Sequence, residues 1–196
     1  MNNRVKVTLL FVVSVLLTAC AGSQWKTASN VVIRDSQNQF QIRLPAGWMH
    51  QTGNKKSILV SRDGLSLQYI KVGAIREHDL QLMVRAISRD KSKMLVLNAL
   101  LPSELAGIIV SVFKNRKITR NLKILANRPA VIGSNINGFR LLISFITDSG
   151  LQIKREVYGY AEGAKLVFIM YQAPVLHYFS KDLGAFRQVV ASFKSL

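Results

Sequence analysis

Three apolar runs in the second half of the chain, Phe139 to Ile146, Leu151 to Tyr160 and Lys165 to Tyr171, are separated only by the turn signals Asp148-Ser-Gly150 and Glu162-Gly163. Connections this short cannot hold a crossover helix, so consecutive runs must pair antiparallel. A short strand at Ala130 to Gly133 is expected to start this meander. The runs also carry apolar residues on both parities: Leu142 and Ile146 oppose Leu141, Ile143 and Phe145. A strand with one wet face alternates, so this pattern requires a sheet covered on both sides.

The first half supplies further strands and the covers. Phe40 to Leu44 alternates apolar and polar residues as a half-buried strand, and Pro45-Ala-Gly47 and Gly53-Asn54 mark turns after it. Ser57 to Ser61 and Ser66 to Val72 flank Asp63-Gly64, a pair that favours a tight hairpin. Ser103 to Arg116 sets Leu105, Ile108, Ile109, Val112 and Phe113 on one helical face. Pro102 precedes it, Ser103 is its candidate cap, and Glu104, Lys114 and Arg116 complement the helix dipole at its two ends. A second helix over Ser180 to Phe193 aligns Leu183, Phe186, Val189, Val190 and Phe193, opened by Ser180 or Lys181-Asp182. Asp79 to Ser88, with Leu80, Met83, Val84 and Ile87, reads as a third, and Met94 to Leu97 is equally readable as strand.

The N-terminus is an address rather than part of the fold. Arg4 and Lys6 precede an apolar run from Val7 to Leu17, shorter than the roughly 20 residues of a bilayer span. The run ends in Leu17-Thr18-Ala19-Cys20, which resembles the lipobox of bacterial lipoproteins. That resemblance implies a signal peptide at residues 1–19, cleavage before Cys20, a diacylglycerol thioether on its sulfur and an acylated (palmitate-type) amino group. Two or more acyl chains anchor stably where one holds only marginally, each buried methylene contributing about 0.8 kcal/mol. Ala21 stands where aspartate acts as an inner-membrane retention signal in many Gram-negative bacteria, so the resemblance implies outer-membrane sorting with the domain facing the periplasm. The alternative is an uncleaved membrane helix with an incidental cysteine. Residues 20–30 read as a lipidated polar tether interrupted by Trp25, which either meets lipid headgroups or packs on the domain. Residues 31–196 read as one domain.

The chain carries 27 Lys+Arg against 10 Asp+Glu, a formal charge of +17. Removing residues 1–19 takes away Arg4 and Lys6 and no acid, leaving 25 against 10, or +15, so the basicity belongs to the domain. Lys114, Arg116, Lys117, Arg120, Lys123 and Arg128 form an acid-free stretch leaving the helix end for the linker before the meander. Arg85, Arg89, Lys91 and Lys93 form another group, interrupted by Asp90. The acid-free stretch is either a solvated loop that complements the helix end or an anion-binding patch. Its only aromatic is Phe113, so nucleic acid, which wants stacking platforms, is not the expected partner. Phospholipid headgroups, lipopolysaccharide phosphates or an acidic protein face are.

Phe40-Gln-Ile-Arg-Leu-Pro-Ala-Gly-Trp48 resembles the strand-then-Pro-x-Gly-Trp entry of PsbP-like domains. The ending, a strand to Ala173-Pro174 and a helix closing on Phe186 and Ser192-Phe193-Lys194, is similar to theirs. Leu101-Pro-Ser-Glu-Leu-Ala106, Asn127-Arg-Pro-Ala130 and Gly138-Phe139 resemble a group of bacterial lipoproteins with no assigned activity. The resemblance covers about residues 38 to 196 and implies an α+β fold, a PsbP-like α-β-α sandwich whose antiparallel sheet carries helices on both faces. It supplies no catalytic residue, since that fold group serves accessory and binding roles.

The residues themselves argue for no catalysis, metal or cofactor. His50, His78 and His177 are scattered, and the lone cysteine excludes an internal disulfide and a thiolate-rich zinc site. Asp35, Asp63 and Asp148 lie beside turns, where turn formation explains them. No Gly-x-Ser-x-Gly elbow or phosphate loop occurs; Gly133 to Gly138 lacks the Lys-Ser/Thr ending and reads as a turn. Tyr158, Tyr160, Tyr171, Tyr178 and Phe179 read first as aromatics bridging sheet and helix and second as a ligand pocket. The expected function is therefore a lipid-anchored envelope accessory or binding protein. A carrier of a small apolar or acidic ligand, with its cavity beneath Ser180 to Phe193, is the alternative. An envelope hydrolase, with His50 or His177 meeting an acid and a hydroxyl, is a further one.

Overall fold

A computed structural model describes residues 25–28, 31–53, 57–87, 95–114 and 120–196. The leader 1–19, Cys20, Arg116, Lys117, Arg89, Lys91 and Lys93 lie outside the described residues. Among the described residues no helix is long and apolar enough to cross a membrane.

The strands are β1 (Trp25–Ala28), β2 (Val32–Arg34), β3 (Phe40–Arg43), β4 (Trp48–Gln51), β5 (Ser57–Ser61), β6 (Tyr69–Arg76), β7 (Arg120–Ile132), β8 (Ile136–Ile146), β9 (Gln152–Glu162), β10 (Lys165–Pro174) and β11 (Lys194–Ser195). The helices are α1 (Glu77–Ile87), α2 (Pro102–Lys114) and α3 (Tyr178–Ser192). Eight strands form one antiparallel sheet in the order β1-β4-β5-β6-β10-β9-β8-β7, and β11-β3-β2 form a small second sheet. The meander β7-β8-β9-β10 is the one its short turns require, and β6 extends it on the far side of β10.

The mixed parity of the strands resolves into two cores. Val167, Ile169 and Tyr171 of β10 face α3 (Phe179, Phe186, Val189, Val190) and the small-sheet residues Phe40 and Ile42, with Trp48 sealed beneath. Leu141, Ile143, Val157, Leu166 and Met170 point the other way, against Leu80 of α1 and Leu105, Ile109 and Val110 of α2. Each fully buried side chain of this kind contributes about 1.5–3 kcal/mol, so both faces hold the sheet.

Several local expectations are corrected. Residues 25–28, read as tether, form β1 on the sheet edge beside β4. Asp63-Gly64 makes no tight hairpin: β5 ends at Ser61 and β6 begins at Tyr69, with Gly64 at φ +100° in the connection. Ser103 does not cap α2. Pro102 is its first residue and the Glu104 carboxylate accepts the Leu101 N–H at 2.8 Å, the carboxylate half of a capping box. No side-chain cap opens α3, which begins at Tyr178 rather than Ser180. The turn before β8 is Gly133 to Asn135, and Asn137-Gly138 lies within the strand. Gly138 is needed there because a Cβ would stand 2.3 Å from the Gly159 carbonyl oxygen. The strand expected at Ala130 to Gly133 is the end of β7, 13 residues long, so Arg120, Lys123 and Arg128 of the basic stretch stand on an edge strand and not in a linker.

Candidate functional site

The acid-free stretch is divided by the fold. Lys114 ends α2 on one side of the sheet, and Arg120 is spent on Asp148, with Nε 3.2 Å from Oδ1. Lys123 and Arg128 stand on β7, where both are exposed and, among the described residues, make no ion pair. Arg116 and Lys117 lie outside the described residues.

Register shows what joins Lys123 and Arg128. Lys123 pairs with Ser144, which pairs with Lys154; Arg128 pairs with Arg140, which pairs with Tyr158. The row between them is Ala126, Leu142 and Glu156. Paired residues of neighbouring strands share a face, and Leu142 packs on the α3-side core, so Lys123, Arg128, Arg140 and Lys154 all stand on that side. α3 lies along β10 and β3, and its Arg187 reaches towards the same area, with Nε 3.7 Å from Glu156 Oε1. The face therefore sets five cations, Lys123, Arg128, Arg140, Lys154 and Arg187, around one carboxylate.

That carboxylate, Glu156, is fully buried. Arg140 donates to it from Nε at 2.8 Å and from Nη2 at 3.0 Å, and the Tyr158 hydroxyl donates to Oε1 at 3.2 Å. Burial, then the neighbouring Glu156 charge, pushes the Tyr158 phenol upward, while the hydrogen bond to Glu156 raises the Arg140 guanidinium pKa. Both groups thus stay protonated. Lys154 Nζ lies 5.7 Å from the Phe179 ring centroid, a cation–π contact. With one carboxylate among five cations, the described part of this face carries a net positive charge, whose field salt screens over about 8–10 Å.

Arg140, Lys154 and Arg187 escaped sequence reasoning, because only the strand register and the path of α3 bring them beside Lys123 and Arg128. The aromatic group reads as expected from the sequence. Tyr171 stacks between Phe179 and Phe186, each at 5.3 Å between centroids, and its hydroxyl donates to the Tyr178 carbonyl at 2.9 Å. These rings pack between the first half of α3 and the main sheet. Asp35 is a turn former: its carboxylate accepts the backbone N–H groups of Gln37, Gln39 and Phe40. His177 meets the Tyr178 ring edge-on, and His50 sits opposite Lys26 and Val60. Among the described residues neither histidine forms an ion pair, and no group of three or more His, Cys, Asp or Glu is placed to hold a metal.

No protein-family model matches the chain, and no curated protein matches its sequence. Solved structures do share its fold. The solution structure of cyanobacterial PsbP (CyanoP) from Synechocystis sp. PCC 6803 is similar with a TM-score of 0.55 and 12% identity, covering 91% of this chain and 96% of that one. The Saccharomyces cerevisiae Ran-binding protein Mog1p gives a TM-score of 0.54 at 11% identity, over 86% of this chain and 96% of that one. A Mog1 mutant gives 0.53 at 11% identity, over 85% and 96%. The chain thus has a PsbP/Mog1-like α+β fold, a large antiparallel sheet with three helices among the described residues.

Proposed function

We propose that the protein is a lipid-anchored envelope module that works by binding and not by catalysis. Cys20 holds it in the membrane, and the face of Lys123, Arg128, Lys154 and Arg187, built around the Arg140–Glu156 pair, docks on anionic phospholipid headgroups or lipopolysaccharide phosphates. The observation that supports this reading is the placement of Lys123, Arg128, Lys154 and Arg187 on one side of the sheet, around the buried Arg140–Glu156 pair. Sequence supports the anchor through Leu17-Thr18-Ala19-Cys20. A tethered domain meets its membrane at high effective concentration, so each weak phosphate contact counts for more than it would on a free protein.

Two measurements test this. Mass spectrometry of the exported protein is expected to find diacylglycerol on an N-terminal Cys20; an unmodified Met1 would sink the anchor. For the docking face, the anchored protein is placed in phosphatidylcholine nanodiscs with and without phosphatidylglycerol, and amide exchange is followed. Slower exchange along β7 is expected only with the anionic lipid, reversed by salt and by Lys123→Gln with Arg128→Gln. Equal exchange in both lipids overturns the docking.

A further inference from the structure

The face of the sheet opposite the basic patch holds a cavity of about 360 Å³, within the range of about 300–1,000 Å³ for small-molecule sites. Its floor is sheet: Gly73 and Lys71 of β6, Val157 of β9, Phe168 and Met170 of β10. Its roof is Met83 of α1 with Ile109, Val112 and Phe113 of α2. A Cβ on Gly73 would come within 3.3 Å of both Phe168 Cζ and Ser57 Cβ, so this glycine keeps the floor clear beside Phe168. The two methionines give adaptable, polarisable walls that suit a flexible aliphatic chain.

Among the described residues the charge on the lining is one-sided: it includes Lys71 and Arg155 and no Asp or Glu. Arg155 is 7% exposed. Its guanidinium lies 4.2 Å from the Phe113 ring centroid and 5.1 Å from that of Phe145, and Nε donates to the neutral Gln172 Oε1 at 2.9 Å. Lys71 is half-buried beside Met170 and, among the described residues, has no hydrogen-bonding or ion-pair partner. A half-buried ammonium on an apolar wall gives up part of its hydration and gains most from an anion that brings its own apolar surface.

We propose that this cavity binds a medium-chain aliphatic carboxylate. The carboxylate meets the Lys71 ammonium within the positive field of Arg155, and the chain lies between Met83, Ile109, Val112 and Met170. A single compact anionic head fits better than a phosphate dianion, because the Arg155 guanidinium already donates to Gln172. The site is separate from the basic face and does not depend on docking there.

The test uses the whole protein in phosphatidylcholine nanodiscs, titrated with carboxyl-¹³C-labelled octanoate and read by NMR against empty nanodiscs. Saturable binding with Kd below about 1 mM is expected. Lys71→Met is expected to weaken it about tenfold or more, and Val112→Trp, which fills the cavity without changing charge, to abolish it. Met83→Trp is a second filling variant should Val112→Trp fail to fold by circular dichroism. The proposal is overturned by the absence of saturable binding above the empty discs. Unchanged affinity in Lys71→Met and in a folded filling variant also overturns it, as does 1-octanol or inorganic phosphate competing as well as unlabelled octanoate.

Discussion

Arg140 grips Glu156 across neighbouring strands with two parallel hydrogen bonds, 2.8 Å from Nε to Oε1 and 3.0 Å from Nη2 to Oε2. The Glu156 side chain is 0% exposed and that of Arg140 11%, so each charge relies on the other. Removing one partner of such a pair costs about 3–5 kcal/mol, because the survivor is left charged in a desolvated place. Glu156→Leu and Arg140→Leu should each lower stability by that order in urea unfolding. The double variant should recover more than half of the loss. Additive losses in the double-mutant cycle would show that packing, not the ion pair, is at stake.

The connection from Arg62 to Gln68 is clipped to the start of α3. Asp182, 1% exposed, accepts from Gln68 Nε2 at 2.7 Å and from Arg62 Nη1 at 3.0 Å. Gln68→Leu should cost about 1–3 kcal/mol, since it strips a hydrogen bond from a buried carboxylate. The same change should speed amide exchange between Arg62 and Gln68 more than in the meander, and uniform exchange would contradict the clip.

Beside it, Lys181 Nζ donates to Asp63 Oδ2 at 2.9 Å. That bond, with a smaller contribution from Gln68, holds the Asp63 carboxyl below its ordinary value of about 3.9. A carboxyl harder to protonate when folded contributes its stability above about pH 4 and loses it as pH falls through the depressed value. Lys181→Met should therefore cost up to about 1 kcal/mol at pH 7 and nothing measurable well below the folded pKa, because the pair is partly exposed. An equal loss at both pH values in urea unfolding would rule out the charge pairing.

Why the meander was legible and β7 was not follows from their contacts. β8, β9 and β10 are buried on both faces by apolar side chains, so Leu141, Leu142, Val157 and Ile169 announce the strands whatever their parity. Among the described residues β7 has a strand partner on one side only, and its register shifts between Arg120 and Lys123 and between Ile124 and Ala126. Each bulge resets the alternation on which strand recognition depends. Pro129 and the basic residues there suit an edge, where a missing N–H is tolerated and charge discourages pairing with another chain. The docking face was half visible: Lys123 and Arg128 lie in the acid-free stretch, but Arg140, Lys154 and Arg187 join them through register alone. The cavity at Lys71 left no local trace, because its lining comes from separate strands and two helices.

His50 couples β1 to pH. It lies opposite Lys26, and its Nδ1 is buried with no hydrogen-bond partner among the described residues. Burial, and then the Lys26 charge, lower its pKa below the ordinary 6.5. Protonation is then easier in the unfolded or detached state, so the folded arrangement is favoured above pH 6.5 and is progressively lost as pH falls from there to the lowered value. Protection factors in Trp25 to Ala28, the intrinsic amide exchange rate at each pH divided by the observed one, should fall at mildly acidic pH. Lys26→Gln should move the His50 titration, followed by imidazole NMR shifts, upward by the lost repulsion only, since burial remains. A titration unchanged by Lys26→Gln would remove Lys26 from the account.

Two glycines should respond to alanine with opposite signs. Gly107 lies in α2 with nothing within 4 Å of a Cβ built on it, so Gly107→Ala should stabilise by about 0.5–1 kcal/mol through helix propensity. Gly159 sits in β9 beneath a neighbour's ring: a Cβ there would fall 2.7 Å from Phe139 Cζ and 3.0 Å from the Val167 carbonyl oxygen. Phe139 is fully buried in the core under α1 and α2 and cannot turn aside without opening a void. Gly159→Ala should therefore cost about 1–3 kcal/mol, the range for forcing extra volume into a packed interior. Gly159→Ala with Phe139→Leu should be better tolerated than Gly159→Ala alone, because the shorter side chain vacates the place the methyl takes. Thermal unfolding of the four proteins decides it: if Phe139→Leu brings no relief to Gly159→Ala, the strain lies in the backbone contact with Val167 and not in the ring.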